Sequence, residues 1–169
     1  MEIRPITSSD DRLLISNIYE ESWKFAYKNI IPQDYLDSIP AGRWASGIDK
    51  EGMHNFVVVQ NGQYIGTSGF CRSRLPELPD FGEIVSIYLL PKYIGKGYGK
   101  SLLEAAISRL KEMGFNDIFL WVLEENSPAR RFYKKSGFSE SGRHMDISIG
   151  GKELREIQYI KQIQPPPDV

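Results

Sequence analysis

The stretch Pro91-Lys92-Tyr93-Ile94-Gly95-Lys96-Gly97-Tyr98-Gly99-Lys100-Ser101 sets three glycines at alternate positions and ends in Gly-Lys-Ser. Such a stretch suits an anion. Glycines let backbone N–H groups approach a ligand with no side chain in the way. Where a helix begins, those N–H groups are unpaired and the helix dipole is positive. Lys96 and Lys100 add two cationic side chains. The ending suggests a nucleotide P-loop, which needs glycine, four residues, then Gly-Lys-Ser or Gly-Lys-Thr. Counting back five from Gly99 gives Ile94, not glycine. Either this is a damaged P-loop or it is a loop built for another phosphate. A plain turn that binds nothing would not need three glycines.

Other chemistry is limited by what the chain contains. One cysteine and two widely separated histidines argue against a structural zinc site, and no metal is expected. Cys71 has no recognisable base beside it and reads as a small buried hydrophobe. A single cysteine excludes an intramolecular disulfide and fits a reducing compartment. The start, "MEIRPITSSDD", carries no apolar signal segment, so a cytoplasmic location is expected. The longest apolar run, residues 118–123, is too short to cross a bilayer. A net charge of −1 gives no reason to expect nucleic acid or a membrane as partner.

The elements that must position the loop follow from periodicity. Residues 3–6 form a short strand, and "TSSDD" offers N-caps for a helix running to about Tyr27. Leu13, Leu14, Ile18, Trp23, Phe25 and Ala26 are its expected apolar positions. "IIPQDYLDSIP" predicts a short second helix ended by Pro40, whereas residues 41–52 give no clear signal. "NFVVVQNGQYIGTSGFCR" is a hairpin turning at Asn61-Gly62. "EIVSIYLL" is a strand closed by Pro91, and residues 97–113 form a helix capped by Gly114. "IFLWVL" is the next strand, and Ser127-Pro128 starts a helix with Ser127 as cap, ending at Gly137. Two final strands turn at Gly150-Gly151, the last over residues 154–163. The order is βααβββαβαββ: an α+β or mixed α/β fold, one sheet with helices on both faces. The 169 residues suit one domain, 1–163, with a frayed tail at 164–169.

The glycine loop resembles the acetyl-CoA pyrophosphate loop of the GNAT superfamily of N-acetyltransferases. That pattern is Arg or Gln, two residues, Gly, one residue, then Gly or Ala. Gly97 and Gly99 match, and Ile94 departs from Arg or Gln. A second stretch, "EENSPARRFYKKSGF", is similar to the family's Asn-x-x-Ala-x-x-Phe-Tyr-x-x-x-Gly-Phe segment. The order of elements resembles the family across nearly the whole chain, which implies a mostly antiparallel sheet.

The resemblance implies acetyl-CoA as co-substrate and a small-molecule or peptide amine as acceptor, with room for a homodimer. It places the pyrophosphate on Ile94, Gly95, Lys96, Gly97, Tyr98, Gly99 and Lys100, chiefly through backbone. Ile87, Tyr88 and Leu89 fall where the family's strand splays and its backbone meets the pantetheine arm and the oxyanion. Asn126 and Ala129 fall beside the same arm. Tyr133 becomes the general acid, its hydroxyl aimed at the coenzyme sulfur; Phe132 reads as packing. Glu83 becomes the carboxylate that takes a proton from the incoming ammonium. Trp23, Tyr27 and Trp44 fall where the acceptor pocket is shaped, although packing accounts for each of them too. Two other readings stand beside this one: a non-catalytic acyl-CoA-binding module on the same fold, and a P-loop-type nucleotide enzyme.

Overall fold

The period-two and period-3.6 patterns resolve into seven strands and four α-helices in the computed structural model, which describes residues 1–163. In chain order they are β1 (Glu2–Pro5), α1 (Arg12–Ala26), α2 (Gln33–Asp37), β2 (His54–Gln60), β3 (Gln63–Arg72), β4 (Gly82–Leu89), α3 (Tyr98–Glu112), β5 (Asp117–Leu123), α4 (Ser127–Lys135), β6 (Ser139–Ile149) and β7 (Lys152–Gln162). The expectation for residues 164–169 lies outside the described residues. One sheet takes the order β1-β2-β3-β4-β5-β7-β6. Every neighbouring pair is antiparallel except β4 and β5. The β2–β3 turn has Asn61 at φ 49° and Gly62 at φ 74°, the left-handed pair that a two-residue hairpin requires.

Alternation along β5 divides the core. Ile118, Leu120 and Val122 face Leu103, Ala106 and Leu110 of α3, with Phe132 and Tyr133 of α4 against the same cluster. Leu123 faces the other way, onto Leu36 of α2 and Trp23 and Tyr27 at the end of α1. Each fully buried leucine contributes about 1.5–3 kcal/mol of transfer free energy, so α3 is fixed chiefly by its apolar face. Gly114, at φ 98°, ends that helix as expected.

Two local expectations are corrected. Helix α1 buries Ile15, Ile18, Tyr19 and Ser22, while Leu13, Leu14 and Phe25 lie exposed. The i, i+3, i+4, i+7 spacing of the buried set fits a single face, and Asp11 sets that phase by capping Leu13 and Leu14. In α4 the cap is Asn126, not Ser127: its Oδ1 accepts from the N–H of Ala129 at 3.3 Å.

Candidate active site

The glycine loop enters α3 through Gly97, the N-cap, in the left-handed region at φ 87°; Gly95 has φ 79°. Among the described residues, the N–H groups of residues 95–100 reach no acceptor. Six adjacent donors at a helix start suit the phosphates of a coenzyme. A Cβ on Gly95 or Gly97 would meet no protein atom within 4 Å, so their outer side is open to a ligand. A Cβ on Gly99 would lie 3.6 Å from Leu89 and 3.7 Å from Phe132, so the first turn of α3 rests on β4 and α4. The Tyr93 ring carries Lys92 at 5.1 Å and Lys96 at 5.7 Å. Tyr98 donates to Gln60 at 3.0 Å. Lys100 is only loosely paired, 3.9 Å from Glu104. Ile94, where the resembled pattern has Arg or Gln, is 48 % exposed beside the loop.

Strand β4 leaves β5 beyond this loop. The two pair only at Gly82–Ile118, Glu83–Phe119 and Ile84–Leu120. Val85 is then an extra residue in the β3–β4 ladder: Ser86 pairs with Gly69, but Ile84 pairs with Phe70. This bulge bends β4 away, and the Ser86 hydroxyl accepts the Gly69 N–H at 2.8 Å. Ser22 of α1 holds the far end by donating to the Leu89 carbonyl at 2.6 Å. The result is a gap between residues 85–89 and 121–123. Ile87, Tyr88 and Leu89 lie on its edge.

Side chains from both faces meet at this gap. Tyr133 reaches it from α4, and its hydroxyl makes no hydrogen bond among the described residues. Burial pushes its phenol well above the ordinary tyrosine range, and the nearby Tyr88 adds to the shift. Tyr88, from the opposite face, accepts the Trp23 indole N–H at 3.1 Å. Burial raises Tyr88 well above its ordinary value, and raises Tyr27 to about 12. Trp23 contacts Tyr27 edge-on at 4.9 Å and Trp44 at 5.3 Å, so the three aromatic residues form one wall. Asn126 and Ala129 stand at the start of α4, and the Asn126 amide nitrogen donates to no described residue.

Glu83 is buried at the base of the gap, with both oxygens engaged. Arg74 Nη2 lies 2.7 Å from Oε1, while Arg74 Nε and the backbone N–H of Arg74 reach Oε2 at 3.1 and 3.0 Å. The structure thus gathers the predicted residues into two groups. The loop residues stand at the start of α3; Tyr133, Tyr88, Ile87, Leu89, Asn126 and Ala129 surround the gap, with Glu83 below. Cys71 is buried, and burial raises its thiol to about 11, which makes it a poor nucleophile. Sequence reasoning missed the side chain of Tyr88, Arg74 and Glu156. The alternation Leu154, Glu156, Gln158 along the last strand was the available signal for the third: a carboxylate on a face that is otherwise inward.

The family model described as the Acetyltransferase (GNAT) family matches residues 15–138. The chain is 30% identical over 145 residues to "Uncharacterized N-acetyltransferase YuaI" of Bacillus subtilis (strain 168), covering 85% of this chain and 83% of that one. It is 30% identical over 146 residues to a spermidine N(1)-acetyltransferase of Thermoplasma acidophilum, covering 82% and 88%. In fold it is similar to the crystal structure of PaiA N-acetyltransferase from Thermoplasma acidophilum in complex with coenzyme A. There the TM-score is 0.72 at 23% identity, over 96% of this chain and 99% of that one.

Proposed function

Since the chain belongs to the GNAT acetyltransferase family, we propose that it moves the acetyl group of acetyl-CoA onto a primary amine by direct attack. The observation that carries this reading is the unbonded Tyr133 hydroxyl at a gap between two strands, close to a run of free N–H groups. Coenzyme phosphates fit those N–H groups, and the pantetheine arm fits the gap, where β4 offers unpaired backbone. The amine nitrogen bonds to the acetyl carbon, and the carbonyl oxygen takes up the negative charge. A backbone N–H of residues 87–89 holds that oxygen. Collapse breaks the carbon–sulfur bond, the thiolate takes the Tyr133 proton, and the proton that the nitrogen sheds on becoming an amide restores Tyr133 through water. A thiol ordinarily titrates near 8.5 and tyrosine near 10. Burial raises the Tyr133 phenol, so it holds its proton until the thiolate forms beside it. Glu83, its oxygens oriented by Arg74, receives the ammonium proton through water.

Calorimetry with acetyl-CoA, paired with thiol release in the presence of a panel of amines, tests the reading. Binding with amine-dependent thiol release is expected. Binding without transfer to any amine would favour the non-catalytic module, and tight magnesium-dependent ATP binding would return the loop to nucleotides. Tyr133→Phe is expected to keep acetyl-CoA affinity and lower turnover about 10²-fold. Unchanged turnover, with chemistry rate-limiting, removes Tyr133 from the mechanism.

A further inference from the structure

On the face of the sheet that carries the aromatic wall, the Glu156 carboxylate has no partner among the described residues. Glu156 of β7 stands across from Leu123 of β5 and from Met145 of β6, so the three side chains share a face. That face is the one α2 and the end of α1 cover at Leu123. Glu156 is half-buried, and among the described residues its side chain makes no hydrogen bond or ion pair. Its acidic neighbours differ. Glu83 is held by Arg74 at 2.7 Å, and Glu77 lies 3.4 Å from Arg143. The titratable groups that act on Glu156, or on which it acts, are Arg74 from the loop after β3 and Tyr27 after α1. Burial raises the Glu156 carboxyl, and Arg74 opposes that shift without pairing. A half-buried charge left in this state is costly, and an incoming cation relieves it.

Met145, the residue that stands across from Glu156, lines a cavity of about 400 Å³. Leu75 and Glu77 of the loop over residues 73–81 line it together with Trp121 of β5 and Arg143, His144 and Met145 of β6. Trp121 pairs with Gln158, two residues along the same face from Glu156. The volume suits a small organic molecule, and an indole face accepts either an apolar group or a cation. Arg143 and Glu77 in that lining are paired with each other, so it offers no free carboxylate to a second positive charge.

We propose that Glu156 and this cavity bind the amine acceptor: the carboxylate pairs with its ammonium group and the cavity takes an apolar body. This rests on the acetyl-transfer reading above and narrows the acceptor to a compact monocation. Glu156 is a positioning residue in this scheme, and it sets specificity for charge. The ammonium meets Glu156 on the open side of the gap, with Tyr133 across it.

The test uses phenethylamine and its uncharged analogue 2-phenylethanol, followed by tryptophan fluorescence on the protein alone and on the protein saturated with CoA. Coenzyme binding is measured separately by calorimetry, so a failure of the coenzyme reading is visible apart from this one. Wild type should bind the amine at least tenfold tighter than the alcohol. Glu156→Gln should abolish that preference with CoA affinity unchanged, and Glu156→Asp should restore part of it. Met145→Lys, at a surface position on β6, should weaken amine binding at least tenfold and spare CoA binding. A wild type without preference for the amine, or a folded Glu156→Gln that keeps it, overturns the proposal.

Discussion

Two carboxylates on one sheet face illustrate how little a residue type says by itself. Glu83 is locked by three donors of Arg74, whereas Glu156 has none among the described residues. If Glu83 receives the ammonium proton, Glu83→Gln should lower turnover about 10²-fold or more at neutral pH. The deficit should shrink as pH approaches 10, where a free alkyl amine is already neutral. Turnover measured from pH 7 to 10 checks this, with melting temperature as a control because the substitution leaves Arg74 short of its counter-charge. A deficit that stays constant across that range would mean that Glu83 holds Arg74 and the loop in place. Tyr133 gives no competing alkaline limb in the same window: burial raises its phenol, so it keeps its proton there.

At the scale of elements, the loop into α3 works through backbone, so its side chains should count unequally. Gly97→Val forces a β-branched residue into the left-handed region, at about 1–2 kcal/mol, and projects a side chain into the open space outside the loop. Acetyl-CoA affinity should fall at least tenfold in the folded variant, whereas Ile94→Arg should leave it equal or tighter; calorimetry of both reads this out. A folded Gly97→Val that binds normally would mean that the phosphates sit elsewhere. The elements themselves were legible from periodicity, turn residues and the Asn-Gly pair. The phase of α1 was not, because Leu13, Leu14 and Phe25 are apolar yet exposed, and Ser16, Glu20 and Ser22 are polar yet buried. A hydrogen bond of 2.8 Å from Ser16 to Glu20 offsets that burial, and nothing local in the sequence announces it. The loop and Tyr133 were legible because their motifs are contiguous. Arg74, Glu156 and the Tyr88 side chain were not, since strands distant in sequence bring them to one face.

For the whole molecule, the corner where β1 turns into α1 is tied to the sheet by Asp10. Its carboxylate accepts from Arg4 at 2.7 and 2.8 Å, from the Thr7 N–H at 2.7 Å and from the Tyr64 hydroxyl at 2.7 Å. The Arg4 hydrogen bonds hold its carboxyl far below the ordinary aspartate range, against the opposing effect of burial. A carboxylate depressed in this way stabilises the fold fully above the unfolded value near 3.9, and that stabilisation is lost as pH falls below it. Asp10→Asn should therefore lower stability by about 2 kcal/mol at pH 7 and lose less than wild type between pH 4 and 2, as read by denaturant unfolding. The gap beside β4 has a different bearing on the molecule. Three rungs of parallel pairing are the sheet's seam between one slab, β1 to β4, and another, β5 to β6. Any ligand that lies in the gap and bonds to both edges works as a splint across that seam, stiffening the protein at the moment it is loaded. In the transfer proposed above, the coenzyme arm would be that splint, and the cleft would take its final shape for the amine once the arm is in place.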